Sequence, residues 1–251
     1  MTRSRQFKAG VANRTKKSRA GRRREPRREA PKSEVVETDV YARRQLPAIA
    51  ARWDARAAGW ERNLQDPVCH LNEDRAYGRF LTETRRVVRE RRDFCARHGV
   101  IDAGCGTGLV LGQLVSAFAW GLGVDISPKM IALARRKPLD GVRFVVGDCF
   151  ALESFCPKAG AVISRGVLLS HYGRGQGSAL LRAARRALVK GGFVVFDFLN
   201  AAARARHVHA PQNKTWFTGE EVCAMARRAG FSSTRLLGTP RRRALLLLAE
   251  R

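Results

Sequence analysis

Long apolar runs are missing from this 251-residue chain. The longest near the C-terminus, Ala244 to Ala249, is far too short to span a bilayer. The first thirty residues lack the apolar stretch of a secretory signal. Both lacks predict a soluble protein that makes no membrane contact. Paired cysteine spacing is missing too: the six cysteines, at 69, 95, 105, 149, 156 and 223, never stand as Cys-x-x-Cys. A zinc ribbon and a thioredoxin-like motif are thereby excluded, and reduced, mostly buried thiols are expected. No metal is expected either, because His207 and His209 have no acidic or cysteine neighbour.

Acidic residues are scarce. Asp and Glu number 22 against 48 Lys and Arg, a formal net charge of +26. The scarcity is sharpest in residues 1–32, which hold 13 bases and only Glu25 and Glu29. Arg22-Arg23-Arg24 and Arg27-Arg28 repel one another, and no apolar periodicity opposes them, so a disordered tail is expected. Three readings stand. The tail is an electrostatic handle for RNA or the ribosome, an organellar transit peptide, or a solubilising extension. A cytoplasmic location goes with the first and third, an organellar one with the second.

What is present beyond the tail is a core-forming chain, 45% hydrophobic overall. Residues 1–45 read as tail and linker, 46–98 as a helical cap and 99–251 as the main domain. In the cap, Trp53, Ala57 and Trp60 stand at i, i+4 and i+7, which predicts one helical face. A second helix is expected over Glu73 to Ala96, stopped by Gly99. Core packing accounts for the two tryptophans better than substrate stacking does.

Short apolar segments then alternate with helical ones. Strands are expected at Val100-Ile101, Leu122–Val124, Val142–Val146, Ala161–Ser164 and Phe193–Phe198. Helices are expected at Leu109–Phe118, Pro128–Arg136 and Gly177–Lys190. Thr218 and Glu221 have capping-box spacing and open a further helix to Arg228. Ser233–Leu237 and Ala244–Ala249, joined by a short connection, suit an antiparallel pair. The pattern predicts a doubly wound, Rossmann-like α/β sheet with an antiparallel edge.

Chemistry concentrates at the strand ends, where such sheets bind ligands. The first strand ends in Asp102-Ala103-Gly104-Cys105-Gly106-Thr107-Gly108. Its glycines let a ligand approach the backbone. Leu109 replaces the third glycine of a dinucleotide fingerprint, and no P-loop lysine follows. The second strand ends at Asp125-Ile126, with Asp125 placed to accept two ribose hydroxyls. The third ends at Asp148-Cys149.

These three stations in register resemble the class I S-adenosylmethionine-dependent methyltransferases, over roughly residues 50–251. The resemblance implies a seven-stranded sheet of order 3-2-1-4-5-7-6 and S-adenosyl-L-methionine as cofactor. It implies that Asp102, Gly104, Cys105, Gly106 and Gly108 form the first motif. Asp125 and Ile126 then lie at the ribose, Asp148 and Cys149 at the adenine, and Ser164 and Arg165 at the methionine end. His171 stands in the loop that faces the transferring methyl. It is the candidate catalytic base, with a locally bonded helix-start histidine as the other reading. Asp197 and Asn200 close the fifth strand near the substrate mouth. Asn200–Trp216 reads as a basic lid, or as a solvated loop, carrying Arg204, Arg206, His207, His209 and Lys214. The Asn/Asp-Pro-Pro-Tyr/Phe motif and the Pro-Cys and Thr-Cys motifs of nucleic-acid subclasses are missing, and Cys156-Pro157 has the reverse order. The leading expectation is transfer of a methyl group to a small-molecule O, N or C acceptor. The alternatives are an RNA- or ribosome-directed enzyme docked by residues 1–32, and a non-catalytic assembly factor.

Overall fold

The computed structural model describes residues 46–66, 69, 74–166, 168–207 and 214–251. The expectations for residues 1–45 and for His209 lie outside this set. A helix over residues 46–54 (α1) leads into α2, Trp60–Gln65. The single helical face expected through Trp53 and Trp60 is broken between them. Gly59 takes a left-handed conformation, φ 78°, and ends the continuity. The two indole rings nevertheless meet edge to face at 5.6 Å.

The helix expected over Glu73 to Ala96 is two: α3, Ala76–Glu90, and α4, Arg92–Arg97. Their junction at Arg91 leaves the helical region, φ −121° and ψ 27°. Arg91 there reaches the Glu250 carboxylate and lies over the Phe193 ring. Phe80, Leu81, Val87 and Val88 of α3 are buried in one core with Val100, Ile163 and Phe193.

The sheet has seven strands: β1 Val100–Ala103, β2 Gly121–Asp125, β3 Val142–Val146, β4 Ala159–Ser164, β5 Leu188–Leu199, β6 Ser233–Leu237 and β7 Ala244–Glu250. Their order is β3-β2-β1-β4-β5-β7-β6, as the resemblance implied. β7 runs antiparallel to both β5 and β6, and the remaining pairings are parallel. β1, β2 and β4 are buried on both faces, as parallel strands between helical layers must be. Ile101 and Ala103 join a core with residues of α7, Arg174–Arg186, and α8, Gly219–Arg228. Val100 joins the core on the other face.

The helix expected over Leu109–Phe118 stops early. Only Leu109–Gly112 (α5) is α-helical, and Val115–Ala117 forms a 3-10 turn. Gly112 disfavours continuation, and Arg85 from α3 takes the Gln113 side-chain oxygen at 2.7 Å. Pro128–Ala134 (α6) has Ser127 as N-cap and Pro at its first turn. The capping box of α8 forms as read: Glu221 N–H donates to Thr218 Oγ1 at 3.1 Å and Thr218 N–H to Glu221 Oε2 at 2.7 Å.

Candidate active site

The carboxyl ends of β1, β2 and β3 meet at one cavity of about 250 Å³. Gly104 and Gly106 line it from the β1 loop, Asp125 and Ile126 from β2, and Gly147, Asp148 and Cys149 from β3. Arg165, Gly166, Leu168, His171 and Tyr172 approach from the segment after β4. Ile49, Arg52 and Trp53 of α1 and Trp60 of α2 add a wall, with Met130, Gln176 and Lys214.

The β1 loop is wound by glycine. Gly104, Gly106 and Gly108 have φ of 74°, 54° and 75°, a region that penalises a side chain. A Cβ at Gly108 would stand 2.6 Å from the Phe144 ring. Gly104 and Cys105 N–H donate to the Val124 carbonyl at 2.8 and 3.0 Å, tying the loop to β2.

Asp125 organises the neighbouring turn. Its Oδ2 accepts from Gly106 N–H at 2.8 Å and its Oδ1 from Ser127 N–H at 2.9 Å. Burial raises its pKa, while the N–H groups of Ser127, Gly106 and Ile126 pull it back. Asp54 of α1 extends this network. It accepts from Ser127 Oγ and from Lys129 N–H, the latter at 3.0 Å, so α1 caps the start of α6. Asp148 accepts from Phe150 N–H at 2.9 Å and thereby opens the 3-10 turn Cys149–Ser154.

Four predicted residues, Asp102, Cys105, Gly108 and Ser164, do not line the cavity. Asp102 is buried, and its Oδ2 has no hydrogen-bond partner. Burial, then the charges of Asp125 and Asp197, push its pKa up to about 8. The Ser164 hydroxyl donates to the Ala103 carbonyl at 2.7 Å and ties β4 to β1. Cys105 is a buried thiol whose pKa is raised by burial, as is that of Cys149. Gly108 stands against Phe144, at the back of the loop.

Arg165 lies over the Tyr77 ring and is attracted by Asp197, which also accepts from Gly166 N–H at 3.1 Å. His171 is packed against the Trp53 ring at 5.3 Å. Lys214 Nζ donates to His171 Nε2 at 2.8 Å. Burial, and then the Lys214 charge, drop the His171 pKa to about 3, so the ring is neutral. Lys214 itself is lowered to about 7, first by burial and then by Arg52 and Arg56. Asn200 is a clamp: its Nδ2 donates to the carbonyls of Pro240 and Arg242 at 2.8 and 3.0 Å. His207 approaches Asp74 at 4.0 Å, and Arg204 lies over Trp216. Of the basic segment Asn200–Trp216, the described residue on the cavity is Lys214. Among the described residues no group of three His, Cys, Asp or Glu could hold a metal.

Trp53 and Trp60, for which core packing is the expectation preferred to substrate stacking, both line the cavity. Their shared spacing was the available signal. The turn at Gly59, which redirects the second indole, could be found only in three dimensions.

Residues 100–192 match the family of methyltransferase domains, a span from β1 through Gly192 in β5. A ubiquinone biosynthesis O-methyltransferase of Idiomarina loihiensis is 30% identical over 172 residues, covering 67% of this chain and 64% of that protein. The chain thus spans somewhat under two thirds of this curated relative. Among solved structures, magnesium protoporphyrin IX methyltransferase from Synechocystis, crystallised with bound S-adenosylmethionine, superposes with a TM-score of 0.63 at 19% identity. The alignment covers 82% of this chain and 97% of that one. The sugar N-methyltransferase KedS8 from Streptoalloteichus gives 0.59 at 23% identity over 70% and 89%. At these identities the two structures speak for the fold, while the domain match runs through all three strand-end stations. Residues 100–192 thus belong to the methyltransferase domain family, and the chain carries the fold of the S-adenosylmethionine-dependent methyltransferases.

Proposed function

We propose that this chain transfers a methyl group from S-adenosylmethionine to an O, N or C atom of a small molecule. The observation that carries the reading is Asp125. Both its oxygens are oriented by backbone N–H groups at the edge of the cavity, fixing a buried carboxylate at the end of β2. The relatives point the same way, being named for ubiquinone biosynthesis, a magnesium protoporphyrin and a sugar. The basic charge of residues 1–32 is the sole support for an RNA- or ribosome-directed reading, which is not adopted.

The residues present fit the donor. The Gly106 backbone is bare toward the cavity, where a Cβ would stand 3.1 Å from Trp60 Nε1. Asp125 would hold the ribose hydroxyls, Asp148 and Cys149 the adenine edge, and the Gly104 loop with Arg165 and Gly166 the methionine end. S-adenosylmethionine, when bound, supplies an electrophilic methyl on a sulfonium sulfur. The chain supplies alignment and a screened site. Trp53 and Trp60 shield the cavity, which favours a reaction in which the sulfonium charge disappears. Neutral His171 lines the cavity with its acceptor nitrogen engaged by Lys214, so it acts there by positioning Lys214.

In calorimetric titration with S-adenosylhomocysteine, Asp125→Ala should weaken binding by about 1–3 kcal/mol, because hydroxyls and N–H groups lose their acceptor. Wild-type affinity in the folded variant would refute the assignment. Incubation with radiolabelled donor and fractionated cell extract identifies the acceptor class. Label is expected in the small-molecule fraction, and label in RNA would overturn that choice.

A further inference from the structure

We infer that the acceptor carries a carboxylate, held at the Lys214 end of the cavity by Lys214 and Arg52. The inference rests on the methyltransferase reading and names its substrate class. Among the described residues two acids line the cavity, and both are engaged: Asp125 with Gly106 and Ser127 N–H, Asp148 with Phe150 N–H. Arg165 feels Asp197 close by. Lys214 differs, because the charged groups that act on it are Arg52 and Arg56, of its own sign. Its hydrogen-bond partner is His171, a neutral ring.

Lys214 is half-buried and the two arginines are exposed at the rim, and like charges collected there raise the local potential and favour an incoming anion. An ammonium and a guanidinium together match the two oxygens of a carboxylate. The backbone beside Lys214 is held: Thr215 N–H donates to the Ser170 carbonyl at 2.8 Å, and Leu199 N–H to Ser170 Oγ at 2.8 Å. This fastens the stretch after β4 and the chain around Lys214 to the end of β5. The apolar rings of Trp53 and Trp60 would cover the body of such a molecule.

The test uses the full chain saturated with S-adenosylhomocysteine, titrated with benzoate and with benzamide, its neutral isostere. Benzoate should bind at least about tenfold more tightly. Lys214→Gln and Arg52→Gln should each reduce benzoate affinity about five- to tenfold and leave benzamide and S-adenosylhomocysteine binding unchanged. The groups facing Lys214 are His171, Arg52 and Arg56, and the arginines keep their charge. Benzoate binding should therefore weaken between pH 6 and pH 9 as Lys214 loses its proton. Equal affinity for the two probes, or benzoate binding indifferent to both substitutions, overturns the carboxylate inference and spares the donor site. Failure of the wild-type chain to bind S-adenosylhomocysteine overturns both readings.

Discussion

Asp102 shows what a single residue can report. Its ordinary pKa is 3.8 in water and about 8 in the folded chain, because burial and two neighbouring carboxylates oppose its charge. Between those values the folded state holds a proton that the unfolded state has released. Stability therefore falls as pH rises from about 4 to about 8, and levels off above. Asp102→Asn removes this dependence. In ligand-free protein the variant should gain on wild type by about 1–3 kcal/mol between pH 5 and pH 8, read from denaturant unfolding. Parallel curves for the two proteins would contradict the assignment. The carboxylate stations were legible in sequence, since each follows a short apolar run. Ser164 was not, because a hydroxyl one residue from the cavity can turn either way. It is satisfied by the Ala103 carbonyl.

At the scale of elements, α1 is joined to α6 through Asp54. That side chain accepts from Ser127 Oγ and Lys129 N–H and carries α1 across the mouth of the cavity. Hydrogen bonds shift its own pKa down, Ser127 contributing most. Asp54→Ala should accelerate amide exchange across residues 46–54 by about tenfold while β1 and β4 keep their protection. Exchange rates unchanged in α1 would show that its apolar contacts alone hold it. The antiparallel edge was legible because a short connection between β6 and β7 allows little else. The break in α3–α4 was not: residues 85–97 contain no glycine or proline to mark it, and the interruption serves Arg91, which reaches Glu250 far along the chain.

Across the whole molecule, the last strand closes the fold. β7 lies between β5 and β6, and its leucines serve both cores. Leu245 and Leu247 face one, with Leu246 and Leu248 in the other. Each buried leucine contributes about 1.5–3 kcal/mol, so four match a typical net stability of 5–15 kcal/mol. Ending the chain after Gly238 should abolish the cooperative thermal transition seen for the full protein; a retained transition would mean that β1–β5 fold alone. The sequence determined the alternation of strands and helices, the glycine loop and the acid at each strand end. These are local matters of periodicity, turn chemistry and cap spacing. Tertiary structure alone decided that Trp53, Trp60 and Lys214 share a cavity with Asp125, and that the charged groups acting on Lys214 among the described residues are Arg52 and Arg56. Burial and charge balance depend on which distant segments meet, and that is set when the whole chain packs.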